Sequence, residues 1–214
     1  MFRINHIVVN PFEESTYLLT DTATLDTLVV DPGMMQKEEF DAFKRVVDSN
    51  SLKICQIVNT HLHIDHCFGN SWVRNRYGVK VAASPGDEAL GKSVAAQAHR
   101  FGLRFGTPEP VEIDVPLADG DTIKVGESSL KVIAVPGHSH GGIALYCPEQ
   151  KFVISGDSLF HRSIGRTDFE GGNHAQLVDN ITKKLLTLPD DTTVLPGHGP
   201  FTTIGEEKRF NPML

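Results

Sequence analysis

The chain has 214 residues, 40% of them hydrophobic and 22% charged, with a formal net charge of −7. Those values fit one soluble α/β domain spanning residues 1–214, and the negative charge disfavours nonspecific binding to a phosphate backbone. No apolar run approaches the roughly 18 residues of a membrane span, and the start MFRINHIVVNPF lacks the layout of a signal peptide, so no membrane partner is expected. Cys55, Cys67 and Cys147 are odd in number and irregularly spaced, which reads as reduced thiols in a cytoplasmic protein.

The first third is written in strands. RINHIVVN, STYLLT and DTLVVD are short, apolar and partly β-branched, with Pro11, Asp21 and Pro32 near the breaks. QKEEFDAFKRVVDSN predicts a helix whose apolar stripe is Phe40, Phe43, Val46 and Val47. KICQIVNT reads as a buried strand, FGNSWVRNRYG as a short helix and VKVAAS as a strand. PGDEALGKSVAAQAHR predicts one helix opened by Pro85. Residues 101–116, rich in Gly and Pro, predict a surface loop. Four strand-like runs follow, DTIKVG, SLKVIAV, GIALYC and KFVISG. NHAQLVDNITKKLLTL then predicts an amphipathic helix with Leu177, Ile181, Leu185 and Leu188 on one side. TTVLPG is the last predicted strand, and a short tail with a solvated EEKR run (206–209) closes the chain. Strand sets closed by helices predict two packed sheets with helices outside.

Four apolar runs end at a residue that binds metals. KICQIVNT leads to His61, SLKVIAVPG to His138, KFVISG to Asp157 and TTVLPG to His198. Ligand sites in α/β sheets form beyond the carboxyl ends of strands, so these residues converge if their strands lie side by side. The stretch NTHLHIDHCFGN adds His63, Asp65 and His66. His61 and His63 lie two apart and face one way in an extended segment. One metal could take His61, His63 and His138, a second could take Asp65, His66 and His198, and Asp157 has two oxygens with which to bridge them. Zinc suits this donor set, and iron or manganese fits it too. Two close metals are a recurring hydrolytic device.

His61-Leu-His63-Ile-Asp65-His66 resembles the H-x-H-x-D-H signature of the metallo-β-lactamase fold superfamily. PGHSHGGI (136–143), SGDSLF (155–160) and PGHG (196–199) resemble its later metal motifs, in the same order. The resemblance implies an α/β fold, an αβ/βα four-layer sandwich with metals in a cleft along one edge. SIGRTDFEGGNHAQLVDNI (163–181) and PGHGPFTTIGEEKRFNP (196–212) are similar to the short bacterial glyoxalase II-like hydrolases. That likeness implies hydrolysis of a small thioester of the S-lactoylglutathione type by a metal-bound hydroxide, with Asp65 orienting the nucleophile. A thiol leaves with a pKa near 8.5, so no dedicated general acid is required.

Arg166 is expected either to grip a substrate carboxylate, as a basic residue does in glyoxalase II enzymes, or to pair with Asp168 or a carbonyl. His161 is a second candidate substrate contact. Phe12 and Tyr17 are candidates for the cleft wall, Cys67 is read as packing at a helix start, and His6, His99 and His174 as structural or exposed. A β-lactamase is disfavoured because the common dizinc enzymes carry a cysteine where Asp157 stands. A nuclease is disfavoured because no basic surface accompanies the motif. An iron-dependent persulfide dioxygenase of the same fold is the alternative, but its last ligand region resembles P-A-H-D-Y rather than Pro196-Gly197-His198-Gly199-Pro200.

Overall fold

The computed structural model describes every residue except Phe105 and Thr107. The chain opens with three antiparallel strands, β1 (Phe2–Val9), β2 (Glu14–Asp21) and β3 (Asp26–Val30). Helix α1 (Lys37–Ser49) starts where the Glu39 carboxylate turns back to accept the Gln36 amide at 2.9 Å. It returns the chain to β4 (Lys53–Val58), parallel to β3. Short helices α2 (Ile64–Cys67) and α3 (Asn70–Tyr77) lead to β5 (Lys80–Ala83), and α4 (Glu88–Lys92) and α5 (Val94–Arg100) precede β6 (Val115–Pro116). These strands make a six-stranded sheet ordered β1-β2-β3-β4-β5-β6.

The second half repeats the scheme. Strands β7 (Thr122–Val125), β8 (Ser128–Ala134), β9 (Ile143–Cys147) and β10 (Phe152–Gly156) run antiparallel to one another. A hairpin, β11 (Leu159–Phe160) and β12 (Ser163–Ile164), leads to helix α6 (His174–Asn180). Strand β13 (Thr193–Pro196) then adds parallel to β10, followed by β14 (Thr202–Thr203) and helix α7 (Ile204–Phe210). The second six-stranded sheet is ordered β14-β13-β10-β9-β8-β7.

The sheets meet face to face. Tyr17, Leu19, Leu28 and Val58 of the first pack against Leu130, Val132, Leu145 and Ile154 of the second. On the outer side of the first sheet, Phe43 and Val47 of α1 cover Leu18, Val29 and Ile57. On the outer side of the second, Leu177 of α6 and Ile204 of α7 cover Val153 and Val194. The layers are therefore helices, sheet, sheet, helices, an αβ/βα sandwich. Among the described residues, no helix is long and apolar enough to cross a membrane.

Several elements depart from the sequence reading. The helix expected over PGDEALGKSVAAQAHR is broken at Ser93, whose hydroxyl and amide both bond the Leu90 carbonyl and close the turn. The amphipathic helix continues past Asn180 only as a wider turn over Ile181–Leu185, in which the Leu186 amide reaches the Ile181 carbonyl. Ile181 and Leu185 are buried all the same. The 101–116 loop includes Phe105 and Thr107, outside the described residues, and its end forms β6. Tyr17 is not a cleft residue. Its ring is buried between the sheets, and its hydroxyl donates to the Pro196 carbonyl at 2.7 Å.

The tail is also structured, and EEKR is not wholly solvated. Glu207 is fully buried, and its carboxylate accepts from Thr202 Oγ1 at 2.6 Å, the Arg162 amide at 2.9 Å and Asn211 Nδ2 at 2.8 Å. It ties α7 to the turn between β11 and β12. Glu207→Ala is expected to lower unfolding stability by about 2–3 kcal/mol, read as a lower urea midpoint at unchanged slope. Arg209→Ala, on the exposed side of the same helix, should change it by less than about 0.5 kcal/mol.

Candidate metal centre

Strands β8, β10 and β13 point the same way, because β10 is parallel to β13 and antiparallel to β9, which is in turn antiparallel to β8. Their carboxyl ends deliver His138, Asp157 and His198 to one edge of the sandwich. The loop after β4 brings His61, His63, Asp65 and His66 to the same edge. Six of the seven converge in two groups, His61 with His63 and His138, and Asp65 with His66 and His198, and Asp31 forms a third, overlapping group with His61 and His66, the donor atoms of each lying within 4.8 Å of one another. Asp157 stands between the first two. Its Oδ1 is 3.3 Å from His66 Nε2, and its Oδ2 is 3.6 Å from both His138 Nε2 and His198 Nε2.

The imidazoles are oriented from outside the centre. His138 Nδ1 donates to the Arg166 carbonyl at 2.7 Å, His198 Nδ1 to the Phe12 carbonyl at 2.9 Å and His66 Nδ1 to Asp31 Oδ2 at 3.0 Å. Thr60 Oγ1 donates to Asp31 at 2.6 Å and faces His61 Nδ1 at 3.1 Å, so it accepts that N–H. In all four rings the Nε2 lone pair is left to face inward. His63 is turned the other way, with Nδ1 2.8 Å from His138 Nε2.

Two residues that sequence spacing did not single out hold this frame. Asp31 ends β3 as the other candidates end their strands, which was the available signal. It sits at φ 50°, a left-handed conformation Asp tolerates, and receives the Thr60 amide and hydroxyl as well as His66. Asp87 is buried and accepts from the Leu62 amide at 3.1 Å, Ser139 Oγ at 2.8 Å and the Gly141 amide at 2.6 Å. It clamps the loop of His61 and His63 to the loop of His138. Gly197 leaves the needed space, since a Cβ there would collide with Asp157 Oδ1 and approach His66 to 2.7 Å.

Burial pushes His61 well below the usual histidine pKa and His63 down to about 4, so both are neutral donors at pH 7. For His66 and His198 burial acts downward too, but Asp157 and Asp65 outweigh it and raise both. Burial would raise the Asp65 and Asp157 pKa, yet the facing histidines, His66 foremost, hold both carboxyls below their usual range. The donor set passes a direct test for cations. His61 Nε2 and Asp157 Oδ1 are buried at its centre without a hydrogen-bond partner, and His63 Nδ1 and His138 Nε2 face each other. Inward lone pairs and ionised carboxylates are what a cation requires.

The centre opens into a cleft of about 370 Å³ walled by Phe12, Phe101, Phe160, Ile164 and Phe169. Arg166 lines it, held by Asp168 through two 2.7 Å hydrogen bonds and stacked 3.9 Å from the Phe169 ring centroid. His161 is not brought there. It is exposed and faces Phe201, Thr202 and Thr203, because the β11–β12 turn points Phe160 inward and the next residue outward. His6, His99 and His174 are exposed, and Cys67 is buried against the His63 carbonyl.

The sequence profile of the Metallo-beta-lactamase superfamily matches residues 9–198. The chain belongs to this superfamily. It is 33% identical over 218 residues to the hydroxyacylglutathione hydrolase GloC of Haemophilus influenzae, covering 99% of this chain and 97% of that protein. The crystal structure of the B3 metallo-beta-lactamase BLEG-1 superposes with a TM-score of 0.89 at 30% identity, covering 99% of both chains. A di-iron-bound form of TTHA1623 superposes with a TM-score of 0.86 at 33% identity, over 98% of this chain and 100% of the other. The fold and the metal-binding clusters are thus those of a superfamily metallo-hydrolase.

The outer hydrogen bonds are expected to set metal affinity. Asp31→Ala, which removes the acceptor of both His66 and Thr60, should weaken metal binding by roughly 10–100-fold in competition with a chromophoric chelator.

Proposed function

We propose that the chain is a dinuclear metal-dependent hydrolase of small thioesters of the hydroxyacylglutathione type. The observation that carries this reading is a pair of three-donor clusters with Asp157 between them, facing a cleft that offers no general acid. Among the described cleft residues other than Asp157 and the cluster donors, the one titratable side chain is Arg166, which stays charged and cannot supply a proton at neutral pH. A thiol with a pKa near 8.5 leaves without one, whereas an amide nitrogen does not. The kinship with GloC supports the same substrate class.

In this reading His61, His63 and His138 would hold one divalent ion, and Asp65, His66 and His198 would hold the other, with Asp157 within reach of both groups. Zinc fits the donors, as do iron and manganese. Such ions lower the pKa of water from about 15.7 to about 7 and polarise a carbonyl. Asp65, kept ionised beside His66 and His198, accepts a hydrogen bond from the attacking water and aims it. The phenylalanine walls exclude bulk water. Arg166, once exchanged from Asp168, takes a substrate carboxylate through the same two-pronged contact. Cys55, Cys67 and Cys147 are free thiols, which fits work in a reducing compartment such as the cytoplasm.

The likeness to BLEG-1 favours one second reading, β-lactam hydrolysis, which a chromogenic cephalosporin tests. Elemental mass spectrometry and an S-lactoylglutathione assay on one batch are expected to show about two metals per chain and turnover. Chelation should abolish that turnover and metal should restore it, while Asp157→Ala should reduce it to background. One iron per chain, oxygen uptake with a persulfide and no thioester turnover would overturn the proposal in favour of a dioxygenase. Arg166→Ala is expected to raise KM for a carboxylate-bearing thioester more than it lowers kcat.

A further inference from the structure

A second pocket of about 160 Å³ lies beside the metal cleft, and the two share His63, Phe101 and Phe169. The Phe101 and Phe169 rings meet edge to face, with centroids 5.8 Å apart, and form the partition between them. Leu90 and Ala96 complete the apolar lining of the smaller pocket.

Several of its polar atoms are already committed. Gln97 Oε1 accepts the Ile64 amide at 3.0 Å, and its Nε2 donates to the Leu62 and Leu90 carbonyls at 3.3 and 2.9 Å. Ser93 Oγ donates to the Leu90 carbonyl at 2.9 Å. His63 turns its Nδ1 toward His138. The two charged lining residues, Arg100 and Glu170, are exposed and of opposite sign. The lining therefore offers mainly apolar contact, with the Arg100 and Glu170 side chains and His63 Nε2 as its uncommitted polar groups.

A thioester has two arms that meet at the reacting carbonyl, and two compartments meet at His63. The larger cleft carries Arg166 and suits a thiol carrier that bears a carboxylate. The smaller pocket suits the acyl arm. A cavity of roughly 150 Å³ lined by aliphatic and aromatic side chains holds one benzene ring. Resting on the thioesterase reading above, we infer that the pocket behind the Phe101–Phe169 pair is an acyl subsite. It selects thioesters whose acyl group is uncharged, apolar and up to about the size of a phenyl ring.

Each methylene buried there is worth about fourfold in kcat/KM. With the metal-loaded enzyme, kcat/KM should rise at least about tenfold from acetyl through butyryl to phenylacetyl thioesters, in both glutathione and N-acetylcysteamine series. It should fall again for naphthylacetyl. Ala96→Trp, which fills the pocket away from the metal clusters, should abolish the preference for phenylacetyl over acetyl. Calorimetry with the ketone thioethers S-acetonylglutathione and S-(3-phenylacetonyl)glutathione should show tighter binding of the phenyl compound, again lost in Ala96→Trp. A flat series, or a preference unchanged in Ala96→Trp, would overturn the acyl subsite and leave the hydrolase standing. No turnover of any thioester by enzyme shown to hold metal would overturn both.

Discussion

Five imidazoles and two carboxylates share one buried volume here, and that crowding constrains the rest of the structure. Neighbouring lone pairs and carboxylates oppose one another there, and the Asp157 and Asp65 carboxylates raise the His66 and His198 pKa against the effect of burial. The protein keeps the groups together by fastening the far side of four of the five rings. Asp31, Thr60 and the carbonyls of Phe12 and Arg166 fix the outer nitrogens, so the inner ones face a common point. The orientation is built into secondary-structure ends, which the two packed sheets hold rigidly.

That arrangement explains why the chemistry falls on loops while precision comes from strands. His138, Asp157 and His198 lie within a few residues of three strands running in one direction, and their spacing is set by sheet geometry. The cleft wall is different. Phe12, Phe101 and Phe169 come from separate connections and meet through ring contacts, such as the Phe12–Phe101 pair at 5.5 Å, while Phe160 ends β11 and approaches His198. The metal-binding geometry and the shape of the cleft are thus carried by different parts of the chain.

What was legible in the sequence follows the same division. The 61–66 cluster is local, so six residues display it, and apolar runs ending in His or Asp announce the other donors. The four-layer architecture was readable from strand sets closed by helices. Asp31 and Asp87 were not, because their work is hydrogen bonding to segments 29 and 25 residues away or more. Glu207 looked like one charge in a solvated run, since its partner at the Arg162 amide is 45 residues distant. Tyr17 looked like a cleft aromatic, but β2 lies inside its sheet and its face toward the second sheet is closed. His161 and Phe160 are adjacent, and only the hairpin decides which of them faces the cleft.

Each of the two donor groups takes two residues from the loop after β4 and one from the second sheet. Both of these groups are therefore incomplete until the sheets have docked, although the first half by itself gathers Asp31, His61 and His66. An ion captured in either group would link residues 75 to 133 positions apart, His63 to His138 and Asp65 to His198 being the bounds. Such a link restricts the unfolded chain as a disulfide does, yet it survives in a compartment that reduces disulfides. Cofactor capture would then favour the assembled chain, because His138 and His198 join the donors of the first half only when the sheets are in register.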